Sequence, residues 1–343
     1  MRPESLRQGN RVTIENAAFE RYRRSPNEKT NLPRLFFGTA IVIAFWMAMT
    51  AVVLFAGTYA YIVWRLPGPS TGRYMQDFLA SPVGILSALT SFAGIWIGLW
   101  SAMRFVHGER LSALFGVTRR IAGGDFLKGL VAVLITSLFS EVLLYWLQPD
   151  IARGPIALSS WLLFLAPIAF LAFLQTSSEE MLFRGYLLRG LANRFTSPLV
   201  WALLPGLLFT SLHWNSASTL AINACVLVSI GTFALLLTLL VYVTGNLGAG
   251  FGAHLGNNLT GFLLISHQEG YNSFALLNAK PLEGPGWTNL DAVLIAAIGI
   301  VSTLLTMLLL LHRRSPLRVG ANQQSPLQPP RTRRFGPDLS IVF

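Results

Sequence analysis

Charge is what this chain has least of: only 12% of its 343 residues are Asp, Glu, Lys or Arg, against about a quarter in an ordinary soluble domain. Cysteine is almost missing as well. The single thiol, Cys225, lies in an apolar run, which excludes a disulfide framework or a cysteine-rich metal site within one chain and reads as a small core residue. The HExxH helix of zinc proteases is absent, and no internal repeat is visible. A cleavable signal peptide is not expected, because the first 34 residues hold eight Lys/Arg and no apolar core. What fills the chain instead is hydrophobic, 53% of all residues with a mean hydropathy of +0.54. That places it among polytopic membrane proteins. The net charge of +11 does not point to nucleic acid, since the basic residues sit in tails and short loops where membrane orientation accounts for them.

The apolar runs predict eight spans, at about 35–64, 83–106, 126–147, from near 157 into a glutamate stretch, 198–213, 220–243, 247–265 and 291–311. Each approaches the ~20 residues that a bilayer requires, the fifth being short. The expectation is an all-α fold, a bundle of about eight transmembrane helices around an intramembrane cavity. Residues 1–34 read as a basic, surface-bound tail, 35–312 as the membrane domain and 313–343 as a Pro/Arg-rich disordered tail. Eight spans put both termini on one side. Of the 26 Lys/Arg, 22 fall on that side and only Arg65, Arg73, Arg153 and Lys280 on the other. The bias predicts both termini in the cytoplasm, in the plasma membrane of a bacterium. Trp64, Trp146 and Tyr242 read as lipid-facing or interfacial aromatics.

The fourth span ends in Ser177–Arg189, SSEEMLFRGYLLR, where Glu179, Glu180 and Arg184 interrupt the apolar pattern. Ionisable groups within a membrane segment are costly and usually serve function. Glu180 and Arg184 share a helix face. His213 closes the fifth span, and counting residues from the intervening turn puts Glu179 and His213 at one height. His254 and Asn258, four apart in the seventh span, share a face at a similar depth. Gly245, Gly248, Gly250, Gly252 and Gly256 around them leave room for close helix packing or for a substrate. Such a set suits water-mediated hydrolysis, with a glutamate as general base and a histidine and an asparagine amide as oxyanion donors. Alternatively Glu179, His213 and His254 would ligate zinc with one position left for water. The residues alone leave both open.

In order, Glu179-Glu180-Met-Leu-Phe-Arg184, Phe209-Thr-Ser-Leu-His213 and His254-Leu-Gly-Asn-Asn258 give EExxxR, FxxxH and HxxxN on three separate spans. The pattern resembles the CPBP family of intramembrane CAAX proteases and bacteriocin-processing or immunity enzymes, over a core of about 126–266. The resemblance implies an endopeptidase that cuts a membrane-associated protein or peptide, prenylated in the CAAX members, among membrane lipids. By it Glu179 and His213 would activate water, His254 and Asn258 would stabilise the oxyanion, and Glu180 and Arg184 would support the site. It favours a metal-free, glutamate-dependent mechanism over a zinc one. Ser177–Arg189 would then form one wall of a water-containing site open toward the cytoplasm.

Other ionisable residues are assigned no catalytic role. Glu141 in the third span lies far from the catalytic depth, His107 and His312 read as interface positions, and His267 belongs to an outer loop. The competing functions are a non-catalytic immunity or partner-binding protein of the same fold and a transporter. The latter would be expected to show matched broken helices in two halves, which are not seen.

Overall fold

The computed structural model describes residues 14–24, 29, 31–64 and 74–320. Helices stand at every place where a span was expected. They are α2 (Leu32–Trp64), α4 (Pro82–His107), α5 (Gly123–Leu147), α6 (Leu158–Arg194), α7 (Leu199–Ser211), α8 (Leu220–Thr244), α9 (Gly248–Leu259) and α10 (Asn289–Leu311). Two further short helices, α1 (Ile14–Arg23) and α3 (Tyr74–Ala80), flank α2. Among the described residues six helices are long and apolar enough to cross a membrane; α7 and α9 are too short to do so alone. The protein is an integral membrane protein. Among the described residues the strands are two residues long, β1 (Ala152–Arg153), β2 (Ile265–Ser266) and β3 (Leu277–Asn278), in the order β1-β3-β2 at the end of the bundle away from α1, and Gly116 and Asn246 form an isolated bridge.

Helix-to-helix approach is set by small residues. α9 lies along α5 so closely that a Cβ on Gly252 would come within 1.8 Å of the Phe126 carbonyl oxygen, and one on Gly129 within 2.3 Å of that of Ala249. In lipid, where apolar surface gains little from meeting other apolar surface, close backbone contact of this kind drives association. The start of α9 is pinned by Asn246, whose side-chain oxygen accepts from Ala122 N and Gly248 N and whose amide donates to Arg120 O. In α6 the hydroxyls before the glutamates are satisfied within the helix: Thr176 and Ser177 donate to carbonyls four residues back, and Ser178 to one three back.

Four expectations change here. Residues 14–24 are not part of a surface tail, because α1 buries Ala18, Phe19 and Tyr22 in the bundle. The Tyr22 hydroxyl donates to the carbonyls of Leu114 and Arg184, and burial pushes its pKa above the usual phenol range. Residues 313–320 likewise fold back, with Val319 N donating to Leu310 O and Lys128 Nζ to Arg318 O; the rest of that tail, 321–343, lies outside the described residues. His107 is not interfacial but buried, its Nε2 2.7 Å from the Tyr186 hydroxyl. Trp64 and Trp146 are exposed as expected, whereas Tyr242 stacks on Trp201 with an interplanar angle of 11°.

Candidate active site

Glu179 and Glu180 end the regular part of α6. Beyond them, over Met181–Leu187, the helix widens so that Leu188 N–H donates to Phe183 O, five residues back. Widened turns of this type recur at functional sites. Glu180 is fully buried, and its Oε1 accepts from Arg184 Nη1 at 2.8 Å. Arg184, also buried, donates its second nitrogen to Ala234 O at 3.2 Å and rests 4.4 Å from the centre of the Phe209 ring. A guanidinium placed between a carboxylate, a carbonyl and an aromatic face has its charge compensated without water.

His254 joins the two glutamates. Its Nδ1 lies 2.9 Å from Glu180 Oε1 and its Nε2 lies 3.5 Å from Glu179 Oε2. Glu180 therefore fixes the ring and Glu179 meets its other edge, an arrangement in which a carboxylate orients an imidazole. His213 is placed differently. Its Nδ1 bonds to the Phe209 carbonyl at 3.0 Å, leaving Nε2 as the free ring nitrogen. The Phe209 ring stands between the two histidines, 4.8 Å from the His213 ring and 5.8 Å from that of His254. Level counting thus puts Glu179 and His213 in one site, but the imidazole that touches Glu179 is that of His254.

Sequence reasoning missed Gln175, one helical turn before Glu179. Its amide nitrogen lies 3.4 Å from Glu179 Oε1, and its oxygen lies 3.5 Å from Asn258 Nδ2. Asn258 also accepts from Asn257 at 3.4 Å, so its amide is oriented from both ends. A polar residue on the stripe that carries Glu179 was the available signal.

Glu179, His213, His254, Asn258 and Gln175 all line one cavity of about 510 Å³, while Glu180 and Arg184 stand behind its wall. The remaining lining is mostly apolar, from Leu89 and Phe92 on α4 to Phe209 on α7 and Phe233 on α8. On the α1 side of His254 the helices pack through edge-to-face aromatics, Phe126 on Phe173, Phe173 on Phe251 and Phe251 on Phe115, none of which lines the cavity. In the opposite direction the lining continues through Ile265, Ser266, His267, Tyr271 and Leu282. The cavity therefore extends away from α1 and residues 313–320. This lining runs opposite to an opening on the α1 side.

Among the described residues no group of three or more His, Cys, Asp or Glu side chains is arranged to hold a metal ion. Glu179, His213 and His254 share the cavity, but Glu180 and the Phe209 carbonyl each take a histidine nitrogen.

Residues 158–260 match the family described as Type II CAAX prenyl endopeptidase Rce1-like. That segment holds all three motifs, and the resemblance carried by them is borne out over it. The chain is also similar to the uncharacterized protein YyaK of Bacillus subtilis (strain 168), at 25% identity over 286 residues, 80% of this chain and 92% of the relative. No solved structure matches the chain.

Proposed function

With residues 158–260 matching the type II CAAX prenyl endopeptidase family, we propose that this protein is an intramembrane endopeptidase in which Glu179 activates the attacking water. The observation that carries the reading is the shared cavity, in which a carboxylate, two imidazoles and an amide meet on otherwise apolar walls. Glu179 takes a proton from water as its oxygen attacks the scissile carbonyl carbon, and later returns that proton to the leaving nitrogen as the C–N bond breaks. His213, which lines the same cavity and bonds to Phe209 O only through Nδ1, orients the same water through Nε2. The Asn258 amide receives the oxyanion together with Nε2–H of His254 in its doubly protonated form, Nδ1–H being given to Glu180, and each is held by a partner before substrate arrives: Glu180 for His254, Gln175 and Asn257 for Asn258. Preorganised donors of this kind are worth about 10²–10³ in rate each. Arg184 occupies Glu180 as an ion-pair partner and so keeps it from competing as base.

The substrate class is a membrane-associated protein or peptide, lipid-modified or not, reached from within the bilayer. The Lys/Arg asymmetry supports termini in the cytoplasm of a bacterial plasma membrane. No metal is assigned. The test compares membrane peptides by mass spectrometry in cells carrying the wild type or Glu179→Gln. Cut sites present only in the wild type support the peptidase; full rescue of a deletion phenotype by Glu179→Gln would instead identify a non-catalytic membrane protein.

A further inference from the structure

The chemistry above uses the deep end of the cavity, and its other end holds a second ionisable pair. His267 Nε2 donates to Glu141 Oε2 at 2.9 Å, with the two side chains 23% and 15% exposed. Both residues line the cavity that contains Glu179, His213 and His254. Among the described residues this is the only hydrogen bond that either side chain makes.

Their height can be worked out from the helix pairing. α5 and α9 run side by side in the same direction, with Gly256 against Leu130 and Val133. Glu141 is roughly ten residues further along α5 and His254 half a turn back along α9, so the pair lies about 17 Å above His254 at 1.5 Å per residue. An extended peptide covers that distance in about five residues.

With Nε2–H given to Glu141, the carboxylate keeps a second oxygen that accepts hydrogen bonds from a cationic side chain. Lys280, which lines the small adjoining cavity with Glu141 and His267, is bound elsewhere: its ammonium donates to Gly286 O and sits 4.3 Å from the centre of the Trp287 ring. We propose that Glu141 and His267 form a substrate subsite, separate from the catalytic centre, that binds a Lys or Arg side chain about five residues from the scissile bond. This rests on the peptidase reading given above.

The test is to map cut sites by mass spectrometry of membrane peptides from cells carrying the wild type, Glu179→Gln, Glu141→Gln, Glu141→Lys or His267→Gln, with protein level followed by immunoblot. Cuts made by the wild type and lost in Glu179→Gln are expected to carry Lys or Arg four to six residues away on one side. Glu141→Gln lowers the recovery of those cuts about tenfold, the loss expected for one charged hydrogen bond, and spares cuts without a basic residue. Glu141→Lys shifts the position toward Asp or Glu. His267→Gln, which keeps the carboxylate, retains the basic preference. Wild-type cuts with no charge preference, or an unchanged pattern in Glu141→Gln, overturn the subsite and leave the peptidase standing. Loss of every cut in Glu141→Gln at normal protein level makes Glu141 part of the reaction and also overturns it. Absence of any cut specific to the wild type overturns the peptidase reading itself.

Discussion

Replacing Gly252 by alanine tests how the site is held together. The new Cβ would lie 1.8 Å from Phe126 O and 2.8 Å from Leu130 N, both backbone atoms that cannot swing aside, whereas ordinary contact begins near 3.4 Å. α9 must therefore move off α5 by about 1.6 Å. Overpacking of this kind costs about 1–3 kcal/mol or more, and the better helix propensity of alanine returns about 1 kcal/mol. A net loss of about 1 kcal/mol or more is expected, read as a lower unfolding midpoint in detergent. Gly261 is the control, since nothing lies within 4 Å of its Cβ position; its alanine variant should melt at or above the wild-type midpoint. Gly256→Ala, with Leu130 O at 3.0 Å, should fall between.

The functional consequence is larger than the stability loss. His254 is two residues from Gly252 and holds Glu180 at 2.9 Å, so a shift of α9 by more than 1 Å misplaces the oxyanion donors, which can cost about 10²-fold in rate. Activity of the folded variants is read as the rate at which a wild-type cut accumulates in purified membranes. Equal melting of Gly252→Ala and Gly261→Ala, or full activity in both, would refute the packing argument.

Other outcomes follow from the buried charges and the donors. Arg184→Met leaves Glu180 buried with only His254, and Glu180→Gln leaves a buried guanidinium facing an amide; each should lose about 3–5 kcal/mol, with the double variant less destabilised than the sum, in thermal unfolding in detergent. Asn258→Ala should lower kcat by about 10²–10³ at nearly constant KM, while a drop in binding alone would remove it from the oxyanion site. Prolonged chelation should leave cleavage intact; loss restored by added zinc would make the reaction metal-dependent. Gln175→Leu should reduce the rate without changing the melting midpoint by more than about 1 kcal/mol, because the two contacts it breaks are long ones at 3.4 and 3.5 Å.

Which parts of this arrangement a sequence can show follows from the geometry of helices. Height is legible, because each residue adds 1.5 Å and the turn between α6 and α7 is short; a residue count alone therefore brings Glu179 and His213 to one level, and both line the same cavity. Azimuth is not. The phase of α6 is altered by Pro167 within it and by the widened turn after Glu180, and α7 opens on another such turn over Leu199–Leu203. Which imidazole meets Glu179 depends on that phase, and it is His254. Position also misleads where a cavity is long. Glu141 lies far from the catalytic level, as the residue count has it, yet it shares the cavity because the space continues along α5 to His267. The packing at the α1 end is hidden for a third reason. α1 buries Phe19 against Trp201 and Tyr242, which come from two distant helices, so no local pattern in the first 34 residues could reveal the surface that receives it. A charge in an apolar helix announces that a partner exists, because leaving it alone is too costly. Naming the partner requires the packing of three helices at once.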